Sequence, residues 1–421
     1  MFSVDNFYEF FKSKYGWQKH RVLPWAPKIH GSKELTDWTR WHTFDYNADP
    51  DQVHASFDIG GCLILHDQEP FWTGLHDIYY KKRNEELNDA FSSTDFPEWF
   101  LRFWPTCSWP IFCHSEKNSS DIQWIKDIGL IDCHYFYHGL ISRDWFRHWK
   151  HHPNFYPRTD YQKRFLLYVR DTSGSREYRK KVKEDLYPQR SHILHDWDGK
   201  NVVSSDYSTK ITPLDAEKSA IHLVAETVFE DNKIHLTEKI FKPIVMCQPF
   251  IVYAGPGALS YLRSYGFRTF SDIWDESYDL ETDHDKRRAM ISLLVNDLCN
   301  LSDEEFRVIL NKCRDILEHN RRHFYSDDFE NIMLKEMDSN LLAAYDQQRQ
   351  LSITDPGGSY FYVLDRMINK GLEFNDETMR SWRVMNTGIR FRSLRSELET
   401  NHPTRWRQIC SMYPWADTIL R

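Results

Sequence analysis

The feature that most constrains the fold is a series of short apolar runs in the second half of the chain. The runs FLLYVRD (165–171), IHLVAE (221–226) and PFIVYAG (249–255) are continuous, and polar residues bound each of them. Continuous apolar strands are typical of parallel sheets that are covered on both faces. Segments of helical length lie between these runs, so we predict an α/β domain with a parallel sheet over residues 156–346.

The first half of the chain carries a similar, less regular pattern. Apolar runs at 57–67, 109–116 and 131–141 are predicted strands, and the polar residues at 119–121 can cap a helix over 122–129. Parallel strands of this kind predict a second Rossmann-like domain.

A chain of 421 residues suits two domains rather than one. Two prolines and the lack of a period at 153–164 mark the linker. We therefore predict an N-terminal domain at 1–155, a C-terminal domain at 156–346 and a helical C-terminal extension at 347–421. Residues 284–346 are predicted to be helical, with Ser302 and Glu305 forming a capping box.

Bulk composition excludes several classes of protein. The net charge is −8, from 54 basic and 62 acidic side chains, which argues against a chain devoted to nucleic acid. Its apolar runs are too short for a membrane span, and the first 17 residues do not read as a secretory signal. The eight scattered cysteines predict reduced, mostly buried thiols in a cytoplasmic protein, which would mean the host cytoplasm for a viral one. Aromatic residues make up 15%, which fits a rich core or sugar-stacking surfaces.

The segment AETVFEDNKIHLTEKIFKPIVMCQPFIVYAGPGALSYL (225–262) carries the most chemistry. A strand delivers Glu226, and Thr237 can cap a helix that starts with Glu238 and Lys239. Free N–H groups at a helix N-terminus suit a phosphate, Lys239 adds a positive charge, and a carboxylate can bind a ribose diol. The turn that contains Gly255 and Gly257 would let the backbone approach a ligand. An ordinary charged first turn is the alternative interpretation.

This segment resembles the nucleotide-binding core of the α-1,3-fucosyltransferase-like glycosyltransferases, which have the GT-B fold. The resemblance covers roughly residues 165–275. It implies two Rossmann-like domains whose parallel sheets face a central cleft. It also implies that Glu238 binds the donor ribose, that Lys239 binds the diphosphate and that Glu226 faces the sugar or the base.

An arginine near the first strand and helix of the C-terminal domain meets the diphosphate in that family. The matching stretch here is VRDTSGSREYRKK (169–181), which offers Arg170 and Arg176 for this role and an N–H-rich SGS turn for an anion. Residues from Arg179 to Lys183 read as a solvated basic helix face.

The predicted catalytic base lies in CLILHDQEP (62–70), where a buried strand ends in polar residues. An inverting transferase needs one base to deprotonate the acceptor hydroxyl. Glu69, which precedes a proline as in the fucosyltransferases, and Asp67 are the candidates, with His66 and Glu116 as rivals. Each carboxylate could instead pair with basic residues near 143–150.

The leading hypothesis is an inverting, metal-independent glycosyltransferase with no cofactor, which uses a GDP- or UDP-linked sugar as co-substrate. No protein metal site is predicted, although DWD, with Asp196 and Asp198, matches the motif of metal-dependent GT-A transferases. That class and a non-catalytic sugar or nucleotide-sugar binding protein stay as alternatives. The chain lacks a P-loop and a dinucleotide fingerprint, which disfavours kinases and dehydrogenases.

The acceptor is predicted to be a glycan or a modified base of phage DNA, and the sequence leaves the oligomeric state open. YGFRTFSDIWDESYD (265–279) resembles segments of glycosyltransferase-like proteins of bacteriophages, with no role that the sequence assigns. The basic stretches RDWFRHWKHH (143–152) and RFRSLR (390–395) could line a DNA path or form ordinary solvated or domain-contact faces.

Overall fold

The computed structural model describes residues 21–25, 62–66, 70, 111–127, 130–169, 171–195, 197, 210–354, 395–396, 399–400, 403–414 and 416–419, with the backbone alone for 21–25 and 62–66. These residues fall into two compact units. The N-sheet unit comprises the described parts of 4–114, 120–135 and 337–421, and the C-sheet unit comprises 115–119 and 136–336. Residues 136–155 therefore lie in the C-sheet unit, and the domain boundaries inferred from the sequence stay predictions.

The N-sheet unit is built on four parallel strands. They are β1 (Arg21–Trp25), β2 (Cys62–His66), β3 (Ile111–His114) and β4 (Ile131–His134), paired in that order. The helix α1 (Ser120–Asp127) joins β3 to β4 and packs against β4. A short strand–helix–strand crossover of this kind is what a parallel pair requires.

The C-sheet unit contains a second parallel sheet. Its strands are β5 (Lys163–Leu167), β6 (Ile193–Leu194), β7 (Ser219–Ala225) and β8 (Phe250–Tyr253), in the order β6-β5-β7-β8. All seven residues of β7 are buried. Because successive side chains of a strand point to opposite faces, both faces of β7 are covered, as the continuous apolar run predicts.

Helices supply most of the remaining structure. In the C-sheet unit they are α2 (Tyr137–Trp145), α3 (Tyr178–Leu186), α4 (Pro213–Lys218), α5 (Glu238–Met246), α6 (Ala258–Ser264), α7 (His284–Asn300), α8 (Asp303–Phe324) and the first part of α9 (Asp327–Thr354). The rest of α9, α10 (Pro403–Met412) and α11 (Ala416–Ile419) belong to the N-sheet unit. Short 3-10 turns occur at Arg147–Trp149, Gly174–Arg176, Tyr187–His192 and Ser277–Leu280.

The prediction of an α/β protein with parallel sheets is confirmed. The capping box at the start of α8 is also confirmed. The Ser302 side chain accepts from the Glu305 N–H, and the Glu305 side chain accepts from the Ser302 N–H. The six cysteines whose side chains are described are free thiols, and five of them are buried. Among the described helices, none has the length and apolar character that crossing a membrane would require.

One predicted strand is wrong in its second half. The run at 131–141 gives a strand only as far as His134, and α2 begins at Tyr137. A short apolar run does not distinguish a buried strand from a buried helix, and this run spans one of each. The strand predicted at 165–171 begins earlier, at Lys163, and ends at Leu167.

A buried arginine anchors the loop after β7. Arg287 on α7 is 1% exposed, and its guanidinium donates to the carbonyl oxygens of Phe229 and Glu281 while lying over the Phe229 ring.

Arg287→Met removes both donors, and we expect it to lower the free energy of unfolding by about 2 kcal/mol or more, measured by chemical denaturation. The control Arg314→Met, on the exposed side of α8, should change it by less than about 0.5 kcal/mol. Equal losses in the two variants would contradict this role.

Candidate functional site

The N-terminus of α5 lies where the sequence predicts it. Glu226 directly follows β7, and Thr237 is the extended N-cap residue of α5, with its Oγ1 accepting from the Lys239 N–H at 3.4 Å. Because β7 and β8 are parallel and α5 connects them, α5 begins at the carboxyl edge of the sheet. Its first N–H groups therefore lie at the edge where α/β proteins bind ligands.

Glu226 ties the end of β7 to this cap. Its carboxylate accepts two hydrogen bonds from Thr237, from the backbone N–H at 3.2 Å and from Oγ1 at 2.5 Å. The side chain is fully buried, and burial raises its pKa against the opposing effects of Lys239 and Thr237. Both oxygens are thus used to fix the cap, and a contact of Glu226 with a donor sugar stays a prediction.

The backbone beneath Glu226 is held by α3. The Tyr178 hydroxyl donates to the Glu226 carbonyl at 2.6 Å, and Arg179 Nη2 donates to the carbonyls of Ala225 and Glu226 at 2.8 Å each. Arg179 is buried, so its interpretation as part of a solvated face is wrong. The face of α3 that carries Arg179 packs on the end of β7, which the composition of an isolated basic helix does not reveal.

Glu238 is a buried carboxylate beside Lys239 and His138. Its Oε1 lies 3.2 Å from Lys239 Nζ, and its Oε2 lies 3.6 Å from His138 Nδ1. Burial alone would raise its pKa, but Lys239, His138 and Lys242 outweigh burial and bring the pKa to about 2. Glu238 is therefore ionised at any physiological pH and can only accept hydrogen bonds.

Lys239 is the more accessible member of the cluster. Its side chain is 29% exposed, and Nζ lies 2.9 Å from Thr237 Oγ1 and 3.3 Å from Thr227 Oγ1. The ammonium thus has three described hydrogen-bond partners, and Glu238 is the carboxylate among them. Because the lysine stem is flexible, this cation can turn from Glu238 to an incoming anion.

The sequence analysis missed His138. It lies on α2, which packs against α5, and the ring of His235 meets it edge-on at 5.2 Å between centroids. The segment was interpreted as a strand, so nothing placed this side chain near Glu238. The spacing of Tyr137, Leu140, Ile141 and Asp144, which are all buried, is the helical signal that could have revealed α2.

The two glycines accommodate neighbouring atoms of the protein itself. A Cβ on Gly255 would collide with the carbonyl oxygen of Lys233, and one on Gly257 would lie 3.2 Å from Ile234. Gly257 also has a φ of +83°, which favours glycine. Both positions therefore let the loop before Thr237 pack closely on the turn after β8, and their contact with a donor stays a prediction.

The YGFRTFSDIWDESYD segment has a structural role. The Asp279 carboxylate accepts from the N–H groups of Leu259 and Ser260 at 2.9 and 3.2 Å, which closes the N-terminus of α6. Glu276 accepts from the Phe270 N–H at 2.8 Å and from the Thr269 hydroxyl at 2.6 Å. The N–H groups at the start of α6 are therefore already satisfied by the Asp279 carboxylate of the protein itself.

The predicted arginine site is only partly described. Arg176 is buried, and its guanidinium lies 3.5 Å from the Asp171 carboxylate. The same carboxylate accepts from the N–H and the hydroxyl of Ser173, so it occupies part of the SGS turn proposed for an anion. Arg170 lies outside the described residues.

Of the candidate catalytic bases, Glu116 is the one whose side chain the structure describes. Asp67 and Glu69 lie outside the described residues, as do Asp196 and Asp198, and only the backbone of His66 is described. The rival base Glu116 is buried 3.6 Å from the ammonium of Lys233. The adjacent Lys117 is joined to Ile234 by two backbone hydrogen bonds, so this segment braces the loop that leads to Thr237.

The basic stretches hold internal ion pairs where they are described. Arg143 lies 2.7 Å from Glu330, and Arg147 pairs with Asp144. Residues 390–394 lie outside the described residues, and Arg395 lies 2.8 Å from Glu399. Within the part of the chain that the structure describes, we found no cluster of three or more His, Cys, Asp or Glu side chains suited to a metal ion.

Comparisons with protein-family models, with curated proteins and with solved structures found no match for this chain.

The Thr237 hydroxyl should contribute measurably to stability. Thr237→Val keeps the shape of the side chain but removes the donor to Glu226 and the acceptor for the Lys239 N–H. We expect it to lower the free energy of unfolding by about 1–3 kcal/mol in urea denaturation. Thr237→Ser, which keeps the hydroxyl, is the matched control, and a Val variant as stable as the Ser variant would contradict the assignment.

Glu226 and Glu238 should affect the pH dependence of stability in opposite directions. The pKa of Glu238 is lowered to about 2 from its usual 4.5, so the unfolded state binds more protons, and its stabilisation is lost as the pH falls from about 4.5 toward 2. The pKa of Glu226 is raised, so its contribution is largest at acid pH and declines as the pH rises above 4.5. In urea denaturation across this pH range, Glu238→Gln should remove the loss of unfolding free energy at low pH. Glu226→Gln should remove the decline of unfolding free energy above pH 4.5. Slope changes of the same sign would contradict the assignment.

Proposed function

We propose that this chain is a glycosyltransferase that binds a nucleotide-diphosphate sugar at the N-terminus of α5 and transfers the sugar to an acceptor hydroxyl. The observation that carries the proposal is the arrangement of Thr237, Glu238 and Lys239. A partly exposed ammonium lies in the first turn of a helix whose cap is a neutral hydroxyl, at the carboxyl edge of a parallel sheet. Helix N–H groups, a mobile cation and this edge together suit a diphosphate.

A comparison of two helices supports α5 as the phosphate site. Both α5 and α6 start at the carboxyl ends of parallel strands. The N-terminus of α6 is closed by the Asp279 carboxylate, which already satisfies two of its N–H groups. Carboxylates also lie at the N-terminus of α5, where Glu226 accepts from Thr237 and Glu238 stands in the first turn. Unlike α6, however, α5 carries a partly exposed ammonium in its first turn, that of Lys239, which can attract an incoming anion.

Donor binding on this proposal exchanges one ion pair for another. Lys239 turns from Glu238 to the diphosphate, and Glu238 Oε1 is then released to accept from the ribose hydroxyls. The carboxylate is ionised at physiological pH, so it is ready to accept without losing a proton first. Glu226 contributes by holding Thr237, and through it the helix N-terminus, in place.

The chemistry proposed is inverting and independent of a metal ion. Lys239 and the N-terminus of α5 stabilise the diphosphate as it leaves, and Glu69 or Asp67 deprotonates the acceptor hydroxyl. The donor is GDP- or UDP-linked, and the acceptor is a glycan or a modified phage DNA base. The GT-B arrangement, in which separate α/β domains hold donor and acceptor, is part of the proposal.

Removal of the Lys239 ammonium should abolish donor binding. A thermal-shift panel of UDP, GDP, CDP, ADP and dTDP sugars should identify one that stabilises the wild type, in proportion to RT ln(1 + [L]/Kd). Lys239→Ala should lose that shift, because the diphosphate loses its cation. Lys180→Ala, which removes an exposed lysine of α3 in a surface pair with Glu177, should keep it. The proposal fails if no donor shifts the wild type at millimolar concentration, or if both variants respond alike.

Turnover separates an enzyme from a binding protein. With the donor identified in that panel and glycan or modified-DNA acceptors added, transfer of the sugar to an acceptor hydroxyl should release free nucleoside diphosphate, and this release should survive excess EDTA. Loss of all turnover on chelation would favour the metal-dependent alternative, and tight donor binding without any release of nucleotide would favour a non-catalytic binding protein.

A further inference from the structure

The guanidinium of Arg179 joins two chain segments at the carboxyl edge of the sheet in the C-sheet unit. Arg179 lies in the first turn of α3 and is 4% exposed. Its Nη1 donates to the Asp171 carbonyl at 2.9 Å, and its Nη2 donates to the carbonyls of Ala225 and Glu226 at 2.8 Å each. Asp171 follows β5 and Glu226 follows β7, and these strands are neighbours in the sheet. Because a guanidinium presents its donors in a rigid fork, it holds the two segments at one separation.

Glu226 carries this constraint to the first turn of α5. Its carbonyl oxygen accepts from Arg179, while its carboxylate accepts from the N–H and the hydroxyl of Thr237 at 3.2 and 2.5 Å. The Thr237 hydroxyl oxygen in turn accepts from the Lys239 N–H at 3.4 Å. A series of hydrogen bonds therefore links α3 to the N-terminus of α5, and a shift of the Glu226 backbone would move that N-terminus with it.

Burial makes this series sensitive to the loss of one donor. Arg179, Glu226 and Thr237 are all almost fully buried, so water has little access to the carbonyl oxygens that Arg179 satisfies. Buried carbonyl oxygens that lose their donor are costly to leave as they are, so the strand ends should move to reach other donors. The first turn of α5 would then lose its present position.

We infer that Arg179 is a positioning residue for anion binding by α5, although its described hydrogen bonds all go to backbone carbonyl oxygens. This inference rests on the proposed function, in which Lys239 and the first turn of α5 bind a diphosphate. Donors of a binding site must be held to within about half an ångström of their productive position. The affinity for a diphosphate should therefore depend on a guanidinium that supports the helix N-terminus from beneath.

Calorimetric titration with inorganic pyrophosphate tests this role, at a temperature at which circular dichroism shows each variant to be folded. Arg179→Met should lower the affinity by about ten-fold, the size of effect that a displaced network produces. Arg164→Met is the matched control. Arg164 is also buried and also donates to two backbone carbonyls, those of Leu298 and Cys299, but it lies at the amino end of β5. We expect this control to lose stability while its affinity for pyrophosphate changes by less than about two-fold.

A double-mutant cycle tests the route through Glu226. If Arg179 acts through Glu226 and Thr237, Arg179→Met and Thr237→Val disturb the same contact. The loss of affinity in the double variant should then be smaller than the product of the two single losses. A double variant whose loss equals that product would overturn the route and the inference.

The outcomes separate the inference from the proposed function. No pyrophosphate binding by the wild type, or equal binding by the wild type and Lys239→Ala, overturns the proposed function and the inference with it. Binding that requires Lys239 but is unchanged in Arg179→Met overturns the inference alone, as does an equal loss of affinity in Arg164→Met. If Arg179→Met is unfolded, Arg179→Lys takes its place. Its ammonium keeps the charge without the fork, so the affinity should still fall by about three-fold, and an unchanged affinity would overturn the inference.

Discussion

The pair of hydrogen bonds from Thr237 to Glu226 is the contact on which the rest of the site depends. It joins the residue that directly follows β7 to the N-cap residue of α5, across the loop of ten residues between them. Burying a carboxylate is costly, and here that cost is offset by two donors from one residue and by the neighbouring ammonium of Lys239. With this contact in place, the backbone of the helix N-terminus is held to the end of β7.

Around that contact, the charged side chains at the N-terminus of α5 differ in how far they are buried. Glu226 and Glu238 are buried, whereas the ammonium of Lys239 is nearer to solvent. The pKa values of the two carboxyl groups move apart, because Lys239, His138 and Lys242 lower that of Glu238 while burial dominates at Glu226. Divergent pKa values in adjacent carboxyl groups are common at functional sites, although structural ion-pair networks produce them too.

The sequence predicted much of the C-sheet unit and the start of α5 within it. The continuous apolar runs gave the strands, and the Thr-Glu-Lys spacing placed the cap at the correct residue. The sequence could not predict the contacts that depend on packing between elements far apart in the chain. Arg179 is buried because α3 lies under the end of β7, and His138 reaches Glu238 because α2 packs on α5. Neither contact leaves a local signal, and the short apolar run before His138 was equally compatible with a strand.

The close packing at Gly255 has a consequence for how this site could diversify. The loop of residues 231–236 is pressed against Gly255 and Gly257 on one side and against Lys117 on the other. Any side chain at position 255 would push this loop outward, and the displacement would reach Thr237 along the chain. On the proposed function, natural or engineered changes in ligand preference should therefore accumulate at side chains around α5, while the turn after β8 stays fixed in size.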